Sequence, residues 1–435
     1  MLHTTIADSP RRVTGPWVEP RTAPRRAAGL VAALAAGLML TATPAVHADT
    51  VTTTIDVGTG PDGVAITPDG THAYVANRDS NSVSVIDTTT NDVTTTIYVG
   101  DNPYEVAIAP DGTHAYVANF GGGTVSVIDT ATYDVTATIE VGKYPLRMAI
   151  TSDGTHVYVT NLTRDMVSVL NTTTQDVTNT IGVGDSPNAV AITPDGKRVY
   201  ITNASSDTVS VLDTTTNSVT TIDVGDGPTG VAITPGGSHA YITNNFGDTV
   251  SVLDTTTNSV ATIEVGDGPH GVAITPDGTR AYVTNTLDDT VSVLDTTTHD
   301  VTNTIDVGDE PTGLAITPDG THAFITNARG DTVSVLAIDA APTMTGTPPA
   351  GVVGQPYEYA ITLTGEPAPT TVTAGPLPDG LTISADGVLS GTPTAAGQFA
   401  FTVTATNGIG DDATLPVTLD ITDPPSTGSL GSLGF

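Results

Sequence analysis

The chain alternates short apolar runs with turns, and this pattern predicts β-strands. Gly63 to Thr67, His72 to Asn77 and Val83 to Asp87 are predicted as three successive strands, because β-branched residues are dense and helix formers are absent. In the next run, Val93 to Val99, one face carries Val93, Thr95 and Ile97 and the other carries threonines only at 94 and 96, which is typical of a half-exposed outer strand. The segment Thr67 to Gly70 predicts a hairpin turn, since proline presets the second turn position and glycine takes the left-handed one.

The turn glycine of this four-strand unit recurs at spacings of 42, 42, 42, 41, 41 and 42 residues. A period in the low forties with strand-like content is the signature of propeller blades, which bury their faces against their neighbours. Seven copies therefore predict a closed seven-bladed ring. The turn glycines are Gly70, Gly112, Gly154, Gly196, Gly237, Gly278 and Gly320.

The ends of the repeat region predict how the ring closes. The seventh copy supplies three strands, the last of them around Val333 to Leu336, and then the chain leaves the pattern. An unpaired strand-like segment, Val51 to Val57, precedes the first copy and resembles the outer strands. We expect it to pair with Val333 to Leu336, so that no sheet edge is left exposed.

The second predicted strand carries a recognisable signature. Tyr74 to Asn77, Tyr158 to Asn161 and Tyr282 to Asn285 resemble the YVTN family of β-propeller repeats, found in surface-layer and other exported proteins of archaea and bacteria. All seven copies match, with Phe324 replacing tyrosine in the last. The resemblance implies an all-β fold with a seven-bladed propeller over residues 49–338. The asparagine of the signature has a structural role available, a side-chain hydrogen bond to the backbone of the following turn.

Residues 1–48 predict a cleaved export signal. Basic residues precede an apolar run from Ala27 to Leu40, and Val46-His47-Ala48 supplies the small residues of a cleavage site. The alternative is an uncleaved anchor, but the apolar run is about 14 residues and a membrane span needs roughly 20. We therefore expect a secreted protein, extracellular or associated with the cell surface, without a membrane span in the mature chain. The basic residues are Arg11, Arg12, Arg21, Arg25 and Arg26.

After Leu336 the composition changes to a proline-rich segment without Lys or Arg. Strand-like runs separated by turn clusters predict a small β-sandwich over residues 340–423. Leu377 to Leu381, Gly391 to Pro393 and Phe399 to Val403 resemble the immunoglobulin-like, cadherin-like domains of bacterial surface proteins. Cadherins bind calcium through acidic clusters, and only Asp411-Asp412 and Asp420 to Asp423 are present, so Ca²⁺ stays an open candidate and no firm cofactor is predicted. Residues 424–435 predict a disordered tail.

The charge of the chain narrows its partners. The formal net charge is −34, and removal of residues 1–48 leaves 8 basic and 45 acidic residues, a charge of −37. Such a surface repels nucleic acid and anionic lipid. Simple solubility of an exported protein explains the same excess of acid. The absence of cysteine excludes disulfides, thiol nucleophiles and zinc-thiolate sites.

Histidines recur at one repeat position, but they do not predict a metal site. Equivalent atoms of neighbouring blades lie about 10 Å apart or more, whereas zinc needs ligands at roughly 2.1 Å, so we expect these side chains to cover strand starts. No metal-ligating residues are predicted. The histidines are His72, His114, His156, His239 and His322, with Arg198 and Arg280 in the other two copies.

Binding in a symmetric ring is expected where the symmetry breaks. The loops that enter the inner strands share one face with the loops between strands two and three, and the second and third copies differ most there. These outliers are the candidate ligand contacts, although ordinary loop variation produces the same pattern. The candidate residues are Tyr104, Glu105, Lys143, Tyr144, Arg147 and His270, with Phe120, Arg164, Phe246 and Arg329 in the accompanying loops.

Two functions of different classes are consistent with the sequence. We expect an exported noncatalytic interaction or scaffold protein, adhesin-like or surface-layer-like, which binds a cell-envelope polymer or a surface protein through the propeller loop face. The alternative is a divalent-metal-dependent lyase or lactonase acting at the channel mouth, with Glu105, Asn188 and His270 as ligands. No hydrolase elbow, zinc-protease motif or phosphate-binding glycine loop is present, and no catalytic residue is predicted.

Overall fold

The computed structural model describes residues 49–366, 368–369, 371–407, 409 and 412–424, and these residues form strands and turns with no helix. The predicted signal, residues 1–48, lies outside the described residues, and so does the tail from residue 425. Asp411 of the open calcium candidate lies outside them as well. Within the described part, no helix is long and apolar enough to cross a membrane.

The repeat region forms seven four-stranded antiparallel sheets. Sheets 1 to 6 each contain four consecutive strands, and sheet 7 contains three strands followed in space by the first strand of the chain. The strands are β1(Thr50–Asp56); for sheet 1, β2(Pro61–Ile66), β3(His72–Asn77), β4(Ser82–Asp87) and β5(Asp92–Tyr98); for sheet 2, β6(Pro103–Ile108), β7(His114–Asn119), β8(Thr124–Asp129) and β9(Val135–Glu140); for sheet 3, β10(Pro145–Ile150), β11(His156–Asn161), β12(Met166–Asn171) and β13(Asp176–Gly182); for sheet 4, β14(Pro187–Ile192), β15(Arg198–Asn203), β16(Thr208–Asp213) and β17(Val219–Asp223); for sheet 5, β18(Pro228–Ile233), β19(His239–Asn244), β20(Thr249–Asp254) and β21(Val260–Glu264); for sheet 6, β22(Pro269–Ile274), β23(Arg280–Asn285), β24(Thr290–Asp295) and β25(Val301–Asp306); and for sheet 7, β26(Pro311–Ile316), β27(His322–Asn327) and β28(Thr332–Ala337).

The sheets pack side by side around a central channel. The first strand of each sheet contacts the first strand of the next, and β26 of sheet 7 contacts β2 of sheet 1, which closes the ring. Threonines of the YVTN signature join neighbouring sheets, because each donates its hydroxyl to a carbonyl in the first strand of the next sheet. These hydrogen bonds run from Thr160, Thr202, Thr243, Thr284 and Thr326 to the carbonyls of Asn188, Thr229, His270, Thr312 and Asp62.

The predicted closing strand is present. β1 pairs antiparallel with β28, from Thr50 opposite Ala337 to Asp56 opposite Thr332. The Asp49 carboxylate, whose side chain is 4% exposed, accepts the Tyr282 hydroxyl at 2.6 Å and the Arg280 guanidinium at 3.1 Å. The first described residue therefore fixes this strand to sheets 6 and 7.

The signature asparagine makes different contacts from those predicted. In sheet 1 its amide nitrogen, on Asn77, donates to the hydroxyls of Ser82 and Ser84 at 3.2 and 2.9 Å rather than to the turn backbone. The asparagine also lies against the glycine that ends each outer strand. A Cβ on Gly58 would lie 2.6 Å from the Asn77 amide, so this glycine and this asparagine fit only together.

Residues from Ala340 onward form a second set of strands. One sheet has the order β30, β37, β36, β33, a second has the order β31, β35, β34, and β29 pairs with β32. The apolar core of this C-terminal part includes Leu389, Val403 and Leu419, whose side chains have no exposed surface. The strands are β29(Ala340–Thr345), β30(Gly351–Val352), β31(Tyr357–Ala360), β32(Thr362–Glu366), β33(Thr371–Ala374), β34(Leu381–Ile383), β35(Val388–Gly391), β36(Gly397–Thr406) and β37(Ala413–Thr422).

Candidate functional site

The two ends of the ring carry different connections. The turns between first and second strands and between third and fourth strands lie on one side, which we call the turn face. The loops that enter the first strands and the loops between second and third strands lie on the other side, which we call the loop face. The six predicted residues belong to the entry loops and the first strands that follow them, so all six lie on the loop face or in the channel behind it.

Polar side chains from three sheets line the channel on this side. Seven first strands surround a cavity of about 120 Å³, and Glu105, Arg147 and His270 line it together. At the position of Glu105 and Arg147 the other sheets carry glycine or alanine. A Cβ on Gly313 would lie 2.3 Å from the Asp62 carbonyl, which shows how closely these first strands approach one another. Sheets 2 and 3 thus supply the only long side chains at this level of the described channel.

Arg147 joins three sheets through one guanidinium group. Its Nη2 lies 2.7 Å from Asp62 Oδ1, two repeats away, and its Nη1 lies 3.2 Å from Glu105 Oε2. Nη1 also donates to the Tyr104 carbonyl at 2.9 Å. Sheet 1 has Ala76 where five later sheets have the bridging threonine, so Arg147 supplies the donor that the Tyr104 carbonyl would otherwise lack.

The two carboxyl groups beside Arg147 titrate differently. Burial raises the pKa of Glu105 to about 7, and the attraction of Arg147 only partly offsets it. Burial has the same effect on Asp62, but Arg147 and Arg78 together outweigh it and lower the pKa of this carboxyl. Arg78 lies 3.5 Å from Asp62 on the side away from Arg147. At neutral pH the cluster therefore holds two guanidinium groups, one ionised carboxylate and one carboxyl group near its midpoint.

His270 faces the same cavity as a neutral imidazole. Burial, reinforced by repulsion from Arg147, lowers its pKa to about 4. Its Nδ1 atom is buried and has no hydrogen-bond partner among the described residues. The channel thus contains an acid with a raised pKa and a base with a lowered pKa, an arrangement that occurs at binding and catalytic sites and also in structural ion-pair networks.

An aromatic row lies beside the channel on the loop face. The Tyr104 and Phe120 ring centroids are 4.9 Å apart, and those of Phe120 and Tyr144 are 5.0 Å apart. The Arg78 guanidinium extends the row, 5.5 Å from the centre of the Tyr104 ring. Lys143, next to Tyr144, is exposed and does not line the cavity.

The structure therefore separates the six predicted residues into two groups. Glu105, Arg147 and His270 meet in the channel, while Tyr104, Lys143 and Tyr144 lie on the rim. Two members of the arrangement, Asp62 and Arg78, were not predicted from the sequence. Arg78 is the only basic residue of the first repeat, a signal that was available. Asp62 gave no separate signal, because its importance comes from a side chain two repeats away.

The recurrent histidines make local contacts. Each imidazole Nδ1 lies within hydrogen-bond distance of the hydroxyl of the preceding residue, as in the 2.8 Å contact between His72 and Thr71. In the part of the chain that the structure describes, no group of three or more His, Asp or Glu side chains converges as metal ligands would. Glu105 and His270 share the cavity but Asn188 is not among its lining residues.

Comparisons with known proteins agree with a propeller followed by an immunoglobulin-like domain. Residues 226–339 match the family model described as "YNCE-like beta-propeller", and residues 341–422 match the "Putative Ig domain" model. Residues 39–236 match the "Cytochrome D1 heme domain" model, also a propeller fold. These matches confirm the resemblances predicted from the repeats and from the C-terminal segment.

Among solved structures, the chain is similar to Kuenenia stuttgartiensis Hydrazine Synthase. The TM-score is 0.60 and the identity 23%, over 64% of this chain and 96% of that chain. This similarity shows the fold alone. No curated protein matches the chain.

The haem named in one family model does not fit the channel. The cavity of about 120 Å³ is well below the roughly 300–1,000 Å³ of sites for drug-sized ligands. Glu105 and Arg147 occupy the space that a macrocycle would need, and they are held there by the ion pairs described above.

Proposed function

We propose that this chain is an exported, noncatalytic interaction protein of the cell surface or extracellular matrix. Its binding surface is the loop face of a seven-bladed propeller over residues 49–338, and the partner is a cell-envelope polymer. Residues 340–423 serve as a separate immunoglobulin-like spacer domain, in which Ca²⁺ stays an open candidate. Residues 1–48 are the export signal in this proposal.

The observation that carries the proposal is the aromatic row beside an exposed base. Three partly exposed rings lie about 5 Å apart, each tilted by 44° to the next, and together they form an apolar strip that can contact successive units of a polymer. Lys143 stands where five other entry loops have aspartate, and Tyr144 stands where they have small or polar residues. The entry loop of sheet 3 is therefore basic and aromatic where the other entry loops are acidic or small.

The distribution of basic residues supports the same face. Eight basic residues remain after Ala48, and five of them belong to the loop face or the channel. The other three belong to the turn face. The first group is Arg78, Lys143, Arg147, Arg164 and Arg329, and the second is Lys197, Arg198 and Arg280.

Co-sedimentation of the purified chain with isolated cell envelopes tests the proposal. Tyr144→Asn and Lys143→Asp introduce the residues of neighbouring repeats, so the fold should be retained. Loss of a central aromatic contact should weaken binding at least about tenfold. Lys197→Thr is the matched control, because it removes the other lysine of the mature chain from the turn face and also restores a repeat residue. Equal binding by all three variants would exclude the aromatic row as the contact.

The alternative is a divalent-metal-dependent lyase or lactonase at the channel mouth. What favours it is the pair formed by Glu105 and His270, whose pKa values are displaced in opposite directions. Against it, Arg147 occupies the position between the carboxylates where a cation would bind. Calorimetric titration with Mn²⁺ or Ca²⁺ separates the two functions: a stoichiometric site abolished by His270→Ala would favour the enzyme.

A further inference from the structure

A second cavity lies on the turn face, the side of the ring opposite to the aromatic row. It is a groove of about 530 Å³ between sheets 2 and 3. Its walls include Asp111 and His114 from sheet 2 and Asp153, Thr172 and Gln175 from sheet 3. The loop-face proposal does not involve this groove.

At three of the other six junctions between sheets, side chains of the protein itself cross or fill the equivalent groove. Between sheets 4 and 5, the Arg198 guanidinium crosses the gap and donates to the Thr255 carbonyl. Between sheets 6 and 7, Arg280 reaches Asp49 and the Asp339 carbonyl.

Between sheets 5 and 6, a ring fills the gap instead of a guanidinium. The His299 imidazole lies 6.0 Å from the His239 ring and 6.3 Å from the Tyr241 ring. The ring therefore has the architecture for a planar or cationic group at each of these junctions.

The groove between sheets 2 and 3 keeps the acceptors but lacks the cation. His114 occupies the position of Arg198, since both begin the second strand of their sheet. Thr172 occupies the position of Thr255, and no side chain among the described residues donates to the Thr172 carbonyl. Gln175 stands where sheet 6 has His299.

Two turn residues around the groove also depart from the repeat. Ala109 replaces the threonine found in the other six turns, and Ser152 replaces the proline. Ala109 and Ser152 both line the groove, and each is smaller than the residue that it replaces. Ala109 also removes the hydroxyl that, in the other turns with aspartate, donates to that aspartate, as Thr151 does to Asp153 at 2.6 Å. Ala109, Ser152 and Gln175, which all depart from the repeat, therefore line the same junction.

The charge of the groove suits a cation. Hydrogen bonds from Thr151 and Thr155 hold the pKa of Asp153 at about 2, and those from Thr113 lower the pKa of Asp111. In both aspartates the hydrogen bonds engage Oδ1, and no described donor contacts Oδ2. Two ionised carboxylates therefore keep an acceptor oxygen available beside a carbonyl that is also available.

We propose that this groove binds the guanidinium group of an arginine side chain presented by a partner protein. The guanidinium takes the place that Arg198 fills between sheets 4 and 5, donating to the Thr172 carbonyl and to the carboxylates of Asp111 and Asp153. A planar fork of donors matches these acceptors better than the point charge of an ammonium group does. The turn face thereby contributes a docking point for an arginine-bearing partner.

The test uses N-acetyl-L-arginine amide as the probe for the full chain, with ligand-observed NMR. A dissociation constant on the order of 1 mM is expected for one exposed guanidinium site. The neutral citrulline analogue should bind at least about tenfold more weakly, because it lacks the charge. Equal binding of the two probes, or no saturation up to roughly 10 mM arginine probe, would overturn the proposal.

Variants built from the repeat locate the site. His114→Arg copies sheet 4, so its side chain should fill the groove, abolish probe binding and raise the melting temperature. His322→Arg makes the same change in sheet 7 and should leave probe binding intact. Gln175→His introduces the imidazole that His299 supplies in sheet 6, and this ring should fill the groove and also prevent probe binding. Probe binding that survives both His114→Arg and Gln175→His would place the cation elsewhere and contradict the inference.

Discussion

Replacing Arg147 by methionine tests whether the channel cluster holds the ring together. The change keeps a long apolar side chain but removes the donor to Asp62, Glu105 and the Tyr104 carbonyl. The Asp62 side chain is 4% exposed and that of Arg147 12%, so water cannot replace the lost partner fully. Removing one member of a buried ion pair costs about 3–5 kcal/mol. At roughly 2 °C per kcal/mol, the melting temperature should fall by about 6–10 °C.

The destabilisation caused by Arg147→Met should depend on pH. Glu105 has a pKa of about 7 in the folded protein and 4.5 as its reference, so at pH 5.5 it is already protonated and needs no cation. Above pH 7 its ionised form needs Arg147. Without Arg147 the pKa of Glu105 rises further, because the attraction that opposes burial is gone. The destabilisation should therefore be larger at pH 8 than at pH 5.5.

Differential scanning calorimetry of wild type and variant at the two pH values measures this effect. Arg329→Met is the matched control, because that arginine is 64% exposed and lies on the rim of sheet 7. Its effect should stay within about 0.5 kcal/mol. If Arg147→Met changes the melting temperature no more than Arg329→Met does, the cluster does not join the sheets and the reasoning is wrong.

Three further predictions concern the same ring. Glu105 contributes stability below pH 4.5 that is lost as pH rises through 7, and His270 contributes stability above pH 6.5 that is lost as pH falls through 4, so their effects oppose each other. Relative to wild type, denaturant titrations should show stability rising between pH 4.5 and 6.5 for Glu105→Gln and falling for His270→Asn, each by at most about 1.4 kcal/mol per pH unit. Asp49→Ala should cost about 2 kcal/mol or more, since it leaves three buried or half-buried donors without their acceptor, whereas Asp56→Ala on the exposed end of the same strand should cost little by the same titration. Thr326→Val should cost about 1–3 kcal/mol in a thermal melt, because the Asp62 carbonyl loses its donor across the closing junction, and an unchanged melt would show that this bond is not needed.

Much of the fold follows from the repeat. The turn signal recurs seven times, and the strands predicted around it agree with the structure to within about two residues. The unpaired first segment correctly predicted the pairing of β1 with β28. The partner predicted for the signature asparagine was wrong because in six of the seven sheets its amide donates to hydroxyls on the third strand, which no local turn rule includes. A repeated sequence thus reveals its backbone more readily than its side-chain contacts.

The candidate site was only half predictable. Departures from the repeat pointed to Glu105 and Arg147, and the structure brings these two together with His270. Asp62 escaped because its contact with Arg147 crosses 85 residues, and such a pairing depends on the curvature of the ring. The groove between sheets 2 and 3 was not predicted for a related reason: its meaning depends on comparison with the junctions that Arg198, Arg280 and His299 cross or fill.

Hydrogen exchange of the full chain, with and without isolated cell envelopes, tests the proposed binding face most directly. Binding through the loop face should slow exchange for amides of residues 101–105 and 142–147 and leave exchange unchanged in the turn from Asp195 to Lys197. Protection confined to the turn face, or to residues 340–423, would contradict the assignment of the loop face as the binding surface.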